Sequence, residues 1–407
     1  MFDKHNKRDK WYNLFKYMEK ARVLIMISTL LIIGSVGTLA ILYAKGYRFG
    51  FQENQVTISS RGLLVTNSDP SGAQVFIDGE LKTATNNTLS LPPKKYLVEI
   101  KKEGFIPWQK EIIIEKEIVS QIEAFLVPLA PSLTALTFSG VVTPVISPDF
   151  SKIVYIVPPE LENGEKAGLW VLETVDLPLG FNRDPRRVTD GDLSKAKMEW
   201  SPDGQEILLT KTDDLTYLLD LTEFTPSSLL VNVNSKIETI KAEWLEKQDK
   251  RLKSQLSQLP DELEEIFSKK TSKIRFAPDE SKVLYEASEE ATIPEGIFKS
   301  LPGASTQEQQ RDIKVGVKYV YDIKEDRNFK VGEKDETFYW LSNSRNLLLP
   351  RLDRIIILDY DGTNRQGVFG AGYVFPHAYP TTSTGRVLIL TNLGSQEAAN
   401  LYWLSLK

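Results

Sequence analysis

The chain has 407 residues, 41% hydrophobic and 26% charged, with a formal net charge of −5. This length is enough for two or three domains, each with a core of its own. The sequence contains no cysteine and only two histidines. Disulfides, thiolate metal sites and a cysteine nucleophile are therefore excluded, and a histidine zinc site or a Ser-His relay is not expected. We expect no metal and no cofactor.

The first predicted element is a transmembrane helix over residues 23–44, a run of 22 residues without a charge. Such a run can cross a hydrocarbon core of about 30 Å. Residues 1–22 form a basic tail with seven basic and three acidic side chains. The positive-inside rule places this tail in the cytoplasm and everything after Lys45 outside. A cleaved signal peptide is the alternative, although its apolar core is normally shorter and is followed by a small-x-small site.

The tail alone has an excess of four positive charges, whereas the net charge of the whole chain is negative. The residues after the tail therefore have a negative net charge. No basic footprint is left there to neutralise phosphates, so we expect no nucleic-acid partner.

A connector over residues 45–60 leads to a predicted small β-sandwich over residues 61–129. Apolar residues alternate with polar ones in this stretch, and Asp-Pro-Ser-Gly, Asp-Gly and Pro-Pro mark the turns. The run Pro70-Ser-Gly-Ala-Gln-Val-Phe-Ile-Asp-Gly79 resembles the motif of the PEGA domain, and Trp108 follows at a matching place. The resemblance implies an extracytoplasmic, non-enzymatic module and names no ligand. We expect Trp108 to close one end of the sandwich.

A sequence pattern that predicts a strand, a tight turn and a second strand occurs four times in residues 130–407. Its copies begin at Val145, Glu199, Arg275 and Tyr339, and each is followed by a further strand. Such hairpins cannot bury their faces alone, which favours the blades of a β-propeller. A weaker fifth unit ends the chain, and the segment after Ala130 is a candidate strand to close the ring.

The turn Trp200-Ser-Pro-Asp-Gly204 resembles the turn of TolB-like and WD40-like propellers. The fold class is therefore mainly β: a transmembrane helix, a PEGA sandwich, and a five- or six-bladed propeller with a helical insertion. In the other copies we align Phe150, Glu280 and Arg345 with Gly204, and expect some of these turns to differ in type.

Two insertions interrupt the blades. The first, over residues 239–270, has apolar residues at helical spacing and a second helix that begins at Pro260. Its candidate partner-binding residues are Trp244, Leu252, Leu256 and Leu263, although the same residues would serve to pack it on a blade. The second, over residues 287–316, is rich in proline and glutamine and is predicted to be a long loop.

The sequence predicts a non-catalytic binding or scaffold protein of the cell envelope, held in the cytoplasmic membrane by a single span. No nucleophile elbow, phosphate loop or metalloprotease helix is present. The expected partners are envelope proteins. A receptor for cell-wall or surface glycan is one alternative, favoured if exposed Trp or Tyr side chains line the mouth of the propeller. A degenerate or unrecognised hydrolase is another. His377 has the chemistry of a base, but the run Phe375-Pro-His-Ala-Tyr-Pro380 is predicted to be a turn that enters a blade.

Overall fold

The computed structural model describes residues 5–44, 48–52, 55–59, 61–160, 164–175, 184–298, 307–383, 385–393 and 398–407. One continuous helix, α1 (His5–Ala44), contains the predicted span. Its part Leu24–Ala44 has a mean hydropathy of 2.3 and is not covered by the rest of the chain, so it is long and apolar enough to cross a membrane. The predicted connector contains a hairpin of β1 (Arg48–Gln52) and β2 (Gln55–Ser59).

The sandwich consists of seven strands: β3 (Gly62–Asp69), β4 (Gln74–Ile77), β5 (Glu80–Ala84), β6 (Asn87–Leu91), β7 (Lys94–Lys101), β8 (Trp108–Ile114) and β9 (Val119–Phe125). They form two sheets, in the orders β6-β3-β9 and β5-β4-β7-β8. The alternating apolar residues of both sheets meet in one buried core, as the period of two predicts. Gly72 and Gly79 take positive φ in the turns of the motif.

Within the described residues, the strands after the sandwich form five principal sheets, which are the blades of the propeller. Blade 1 contains β11 (Val142–Ile146), β12 (Lys152–Val157), β13 (Gly168–Glu173) and β14 (Arg186–Asp190). Blade 2 contains β15 (Lys197–Trp200), β16 (Glu206–Thr210) and β17 (Thr216–Asp220). Blade 3 contains β18 (Thr271–Phe276), β19 (Lys282–Ala287), β22 (Val317–Asp322) and β23 (Arg327–Glu333). Blade 4 contains β24 (Tyr339–Trp340), β25 (Asn346–Pro350), β26 (Ile355–Asp359) and β27 (Gln366–Phe369).

Blade 5 closes the ring. Its strands are β28 (Tyr373–Pro380), β29 (Arg386–Thr391), β30 (Asn400–Ser405) and β10 (Leu133–Ala135), so its outermost strand comes from the start of the domain. Leu133 pairs with Leu404 and Ala135 with Tyr402. The predicted closing strand is therefore present, and the edge of β30 is covered.

Shared apolar cores join neighbouring blades around the ring. Separate buried clusters link blade 1 to blade 2, blade 5 to blade 1, blade 4 to blade 5, and blade 3 to blade 4. The remaining face of blade 3 packs on two helices of the first insertion, α2 (Ile237–Leu256) and α3 (Asp261–Lys270).

The helical hairpin lies in the wedge between blade 2 and blade 3. Lys241 of α2 pairs with Glu199 of β15 at 2.6 Å. Glu199 is opposite Leu208 in the register, on the face of blade 2 that points away from blade 1. Phe267 of α3 contacts Tyr285 of blade 3. The ring therefore has five β-blades, with helices where a sixth would stand.

The four recurring turns share one conformation, which corrects two expectations. Phe150, Gly204, Glu280 and Ser344 all have positive φ, between 56° and 65°. The fourth copy was aligned one residue too late, because Ser344 and not Arg345 takes the place of Gly204. In each turn this residue donates its N–H to the carbonyl three residues earlier. The turns are thus of one type.

The second insertion is more ordered than the predicted long loop, although residues 299–306 lie outside the described part. Its described ends form a short hairpin of β20 (Ala291–Thr292) and β21 (Asp312–Ile313). Ile293 and Ile313 are buried with the tyrosines of blade 3. Arg311 pairs with the buried Asp326 at 3.3 Å. This insertion therefore contributes to the core instead of lying free.

Candidate functional site at the junction of sandwich and propeller

A buried ionic network joins the sandwich to blade 4. Lys110 of β8 lies 2.6 Å from Asp361 and 3.2 Å from Asp359. Asp359 ends β26, and Asp361 lies in the turn that leads to β27. The indole N–H of Trp108 donates to Oδ2 of Asp359 at 3.0 Å. The same oxygen accepts from Asn364, whose side-chain oxygen accepts the N–H of Gln109. Two side chains on the same face of one sandwich strand, Trp108 and Lys110, and the main-chain N–H between them are thus held by one segment of the propeller.

Burial and charge act in opposite directions on these groups. Burial lowers the pKa of Lys110, but the facing carboxylates of Asp359 and Asp361 outweigh it and hold that pKa above its ordinary value of 10.5. Burial raises the pKa of Asp359, and the positive charge of Lys110 opposes that rise. We take the pair as ionised, because the remaining carboxylate oxygens also accept hydrogen bonds. Removal of either partner would leave a buried charge unpaired.

Apolar and main-chain contacts support the same junction. Phe125 and Val127, which end the sandwich, are buried in the core shared by blades 4 and 5. The N–H of Ile106 donates to Val127 and that of Leu129 to Gly104, so the connecting segment is fastened to the sandwich. Lys407 at the chain end pairs with Asp69 at 2.9 Å. The sandwich is thereby fixed on the ring at several separate points.

A cavity of about 310 Å³ lies within this junction. Tyr360 lines it with its ring between two ammonium groups, 6.0 Å from Lys110 and 4.7 Å from Lys282. Lys282 itself pairs with Asp322 at 3.3 Å. Each of the two ammonium groups thus has a carboxylate partner, which suits an interdomain joint better than a reaction centre.

The four candidate partner-binding residues of the first insertion are largely covered. Trp244, Leu256 and Leu263 are buried. Leu256 and Leu263 lie in the core shared with blade 3, and Leu252 packs against that core. These positions act here as packing residues. Partner contact through them stays a hypothesis that requires the hairpin to leave the ring.

Other candidate chemistry has structural partners. The carboxylate of Asp361 binds the ammonium group of Lys110 and accepts a hydrogen bond from the hydroxyl of Thr363 in its own turn. His377 lies in strand β28, although its surroundings resemble a turn in sequence. Its Nδ1 is 2.8 Å from the hydroxyl of Tyr379, which donates to the carbonyl of Pro144. Burial lowers the pKa of His377 and therefore favours its neutral imidazole.

The structure thus defines a class of protein with an apolar N-terminal helix, a β-sandwich and a closed five-bladed propeller joined by buried ion pairs. Residues 61–129 match the family model of the PEGA domain, which confirms the resemblance drawn from the motif. Among the curated proteins, no sequence match was found.

Solved structures similar to this chain include propeller proteins at low sequence identity. A TolB protein from Agrobacterium tumefaciens is 14% identical, with 65% of this chain and 78% of that chain covered and a TM-score of 0.22. TolB from Acinetobacter baumannii is 12% identical, with 85% and 64% covered and a TM-score of 0.20. The β-propeller domain of Cps50 (Swd1) from Myceliophteria thermophila is 11% identical, with 68% and 86% covered and a TM-score of 0.22. The propeller assignment rests on the strand pairing of this chain and not on these scores.

Proposed function

We propose that this chain is a non-catalytic scaffold of the cell envelope, with its N-terminal tail in the cytoplasm and both β domains outside. The observation that carries the proposal is the uncharged helix Leu24–Ala44, which the rest of the chain leaves uncovered, followed by a sandwich joined firmly to a propeller. Such an arrangement would hold the propeller close to the membrane and present its loops to other envelope proteins.

The topology is testable by single cysteines, because the natural chain has none. We expect Lys250→Cys, on the exposed surface of α2, to react with a membrane-impermeant maleimide in intact cells. Lys10→Cys in the tail should react only after lysis. The reverse pattern would overturn the orientation. An epitope placed before Phe2 that is lost from the membrane fraction would show a cleaved signal sequence instead of an anchor.

The alternatives receive less support. A glycan receptor would present exposed Trp or Tyr side chains at the mouth of the ring, but in the described part of residues 61–407 none of these side chains is exposed. A hydrolase would need a base and a nucleophile in one pocket, and His377 instead faces a tyrosine hydroxyl. We therefore keep a protein partner as the proposal.

A further inference from the structure

The hairpin that follows the membrane span has one apolar and one polar face. In the pairing of β1 with β2, Phe49 is opposite Ile58 and Phe51 is opposite Val56. Because alternate residues of a strand lie on the same face, these four apolar residues occupy one face of the hairpin. The register positions of the other face hold Arg48, Gly50, Gln52, Gln55, Thr57 and Ser59.

This hairpin forms a sheet of its own. Within the described residues, β1 and β2 pair only with each other, and β3 has β6 and β9 as its two neighbours. The hairpin therefore adds no strand to the sandwich. Where the sandwich begins, Val119 lies opposite Leu63 and is itself 51% exposed, so the hairpin does not cover it. A separate two-stranded hairpin is marginally stable in water and needs a surface against which its apolar face can pack.

The short connection from the span brings the hairpin to the boundary of the bilayer. The span Leu24–Ala44 has 21 residues. A helix of that length is about 31 Å long, close to the thickness of the hydrocarbon core, so Ala44 lies near the end of that core. Arg48 begins β1 four residues later, within roughly 14 Å of Ala44. The headgroup layer is about 5–8 Å thick on each side of the core, so the hairpin can reach it.

The charge around the hairpin suits a lipid surface. Residues 45–61 contain three basic side chains, Lys45, Arg48 and Arg61, and one acidic side chain, Glu53. Between Glu19 and Glu53 the sequence has no acidic residue. A basic excess beside an apolar face is the combination by which amphipathic elements bind to anionic bilayer surfaces.

We propose that the β1–β2 hairpin lies in the headgroup region of the bilayer, with the face of Phe49, Phe51, Val56 and Ile58 against the lipid. Gly62 begins the sandwich three residues after β2 ends, so this contact holds the start of the sandwich within roughly 11 Å of the hairpin. The inference rests on the proposed function for the membrane span alone, and it holds for either orientation of the chain.

Fluorescence quenching of single labelled cysteines in the purified full chain tests this proposal. The natural chain has no cysteine, so a dye on each introduced cysteine reports one position. The protein is reconstituted into vesicles of equimolar phosphatidylethanolamine and phosphatidylglycerol, where no other protein is present. A nitroxide on the lipid, near the headgroup, should quench dyes at positions 49, 51, 56 and 58, and these dyes should be shielded from aqueous iodide. Dyes at positions 50, 52, 55 and 57 should show the reverse, which gives a period of two along each strand.

Other surfaces for the hairpin give different patterns, and each of them would overturn the proposal. Contact with the sandwich would shield the apolar face from both quenchers. Contact with a second copy would also shield it from both, and this shielding would decrease as the protein is diluted in lipid. A hairpin that contacts nothing would leave all eight positions open to iodide.

A matched pair of substitutions checks that the apolar face makes the contact. With the dye at position 56, Phe51→Asp should reduce quenching by the lipid nitroxide by about threefold or more, because it places a charge on the face that meets the lipid. Gln52→Asp adds the same charge on the other face and should leave the quenching unchanged. Equal effects of the two substitutions would contradict the proposal.

A dye at position 33, within the span, separates a failure of this inference from a failure of the proposed function. A nitroxide deep in the acyl chain should quench this dye if the span crosses the bilayer. If position 33 is quenched while the apolar face of the hairpin stays open to iodide, the anchor stands and the hairpin contact is wrong. If position 33 is not quenched, the anchor is wrong and the hairpin contact falls with it.

Discussion

Lys110 lies between two carboxylates of a propeller turn and is almost completely shielded from water. Its ammonium group is the counter-ion that Asp359 and Asp361 share. Two buried charges give up their hydration for mutual attraction, so an intact pair adds little to the free energy of unfolding. Removal of one partner lowers that free energy much more, because the other charge stays buried and unpaired.

We expect Lys110→Met to lower the free energy of unfolding by about 3–5 kcal/mol, because it leaves two buried carboxylates unpaired. Urea unfolding of the detergent-solubilised full chain, followed by tryptophan fluorescence, measures the change. Trp108 donates to the same carboxylate and is a reporter of the junction.

The matched control for this prediction is Lys95→Met on the neighbouring strand. Lys95 pairs with Glu111 at 2.6 Å, but both side chains are more than half exposed. Exposed pairs contribute about 0–1 kcal/mol. Equal losses in the two variants would contradict a special role for Lys110 at the junction.

Single residues also show which conformations and contacts could be predicted from the sequence. The turn motif predicted the place of Gly204, because glycine takes positive φ without strain. It did not predict that Phe150 and Glu280 adopt the same conformation, since the repeating hydrogen bond fixes the turn despite their side chains. The pairing of Lys110 with Asp361 joins residues about 250 positions apart, and no local pattern indicates it.

At the scale of elements, the hairpin of α2 and α3 replaces a β-blade. Helical spacing of the apolar residues predicted both helices. It could not tell whether their apolar faces meet a partner or the ring, because that depends on what the tertiary fold leaves uncovered. Leu256 and Leu263 prove to be covered by blade 3.

We expect Phe267→Ala to lower the free energy of unfolding by about 3–5 kcal/mol, because it leaves a cavity in a close-packed core. The Phe267 ring is fully buried and contacts Tyr285 and Tyr321, with ring centroids 5.0 Å and 5.9 Å away. Thermal and urea unfolding of the full chain measure the change.

The control for this substitution is Leu245→Ala on the other helix. Leu245 is 60% exposed, so its truncation should change stability by less than about 0.5 kcal/mol. A loss at position 245 as large as that at position 267 would show that the hairpin packs on the ring by its other face.

At the scale of the whole molecule, the ring is held closed by strands from its two ends. The N–H of Leu136 donates to Leu401 and that of Ser405 to Ser132. Ala135 and Tyr402 are therefore opposite each other as a pair without mutual main-chain hydrogen bonds, the kind in which side chains approach most closely. A disulfide can be placed there, and the chain has no other cysteine to compete with it.

We expect the double variant Ala135→Cys, Tyr402→Cys to oxidise readily and to unfold at a higher temperature than its reduced form. The bond would close a loop of almost the whole propeller, which stabilises by about 2–4 kcal/mol and raises Tm on the order of 5–10 °C. Thermal unfolding of the detergent-solubilised full chain, with and without reductant, measures the difference. Ala135→Cys alone is the control and should not respond to reductant. If the double variant stays reduced under oxidising conditions, or if its Tm is the same in both states, the two ends do not close the ring.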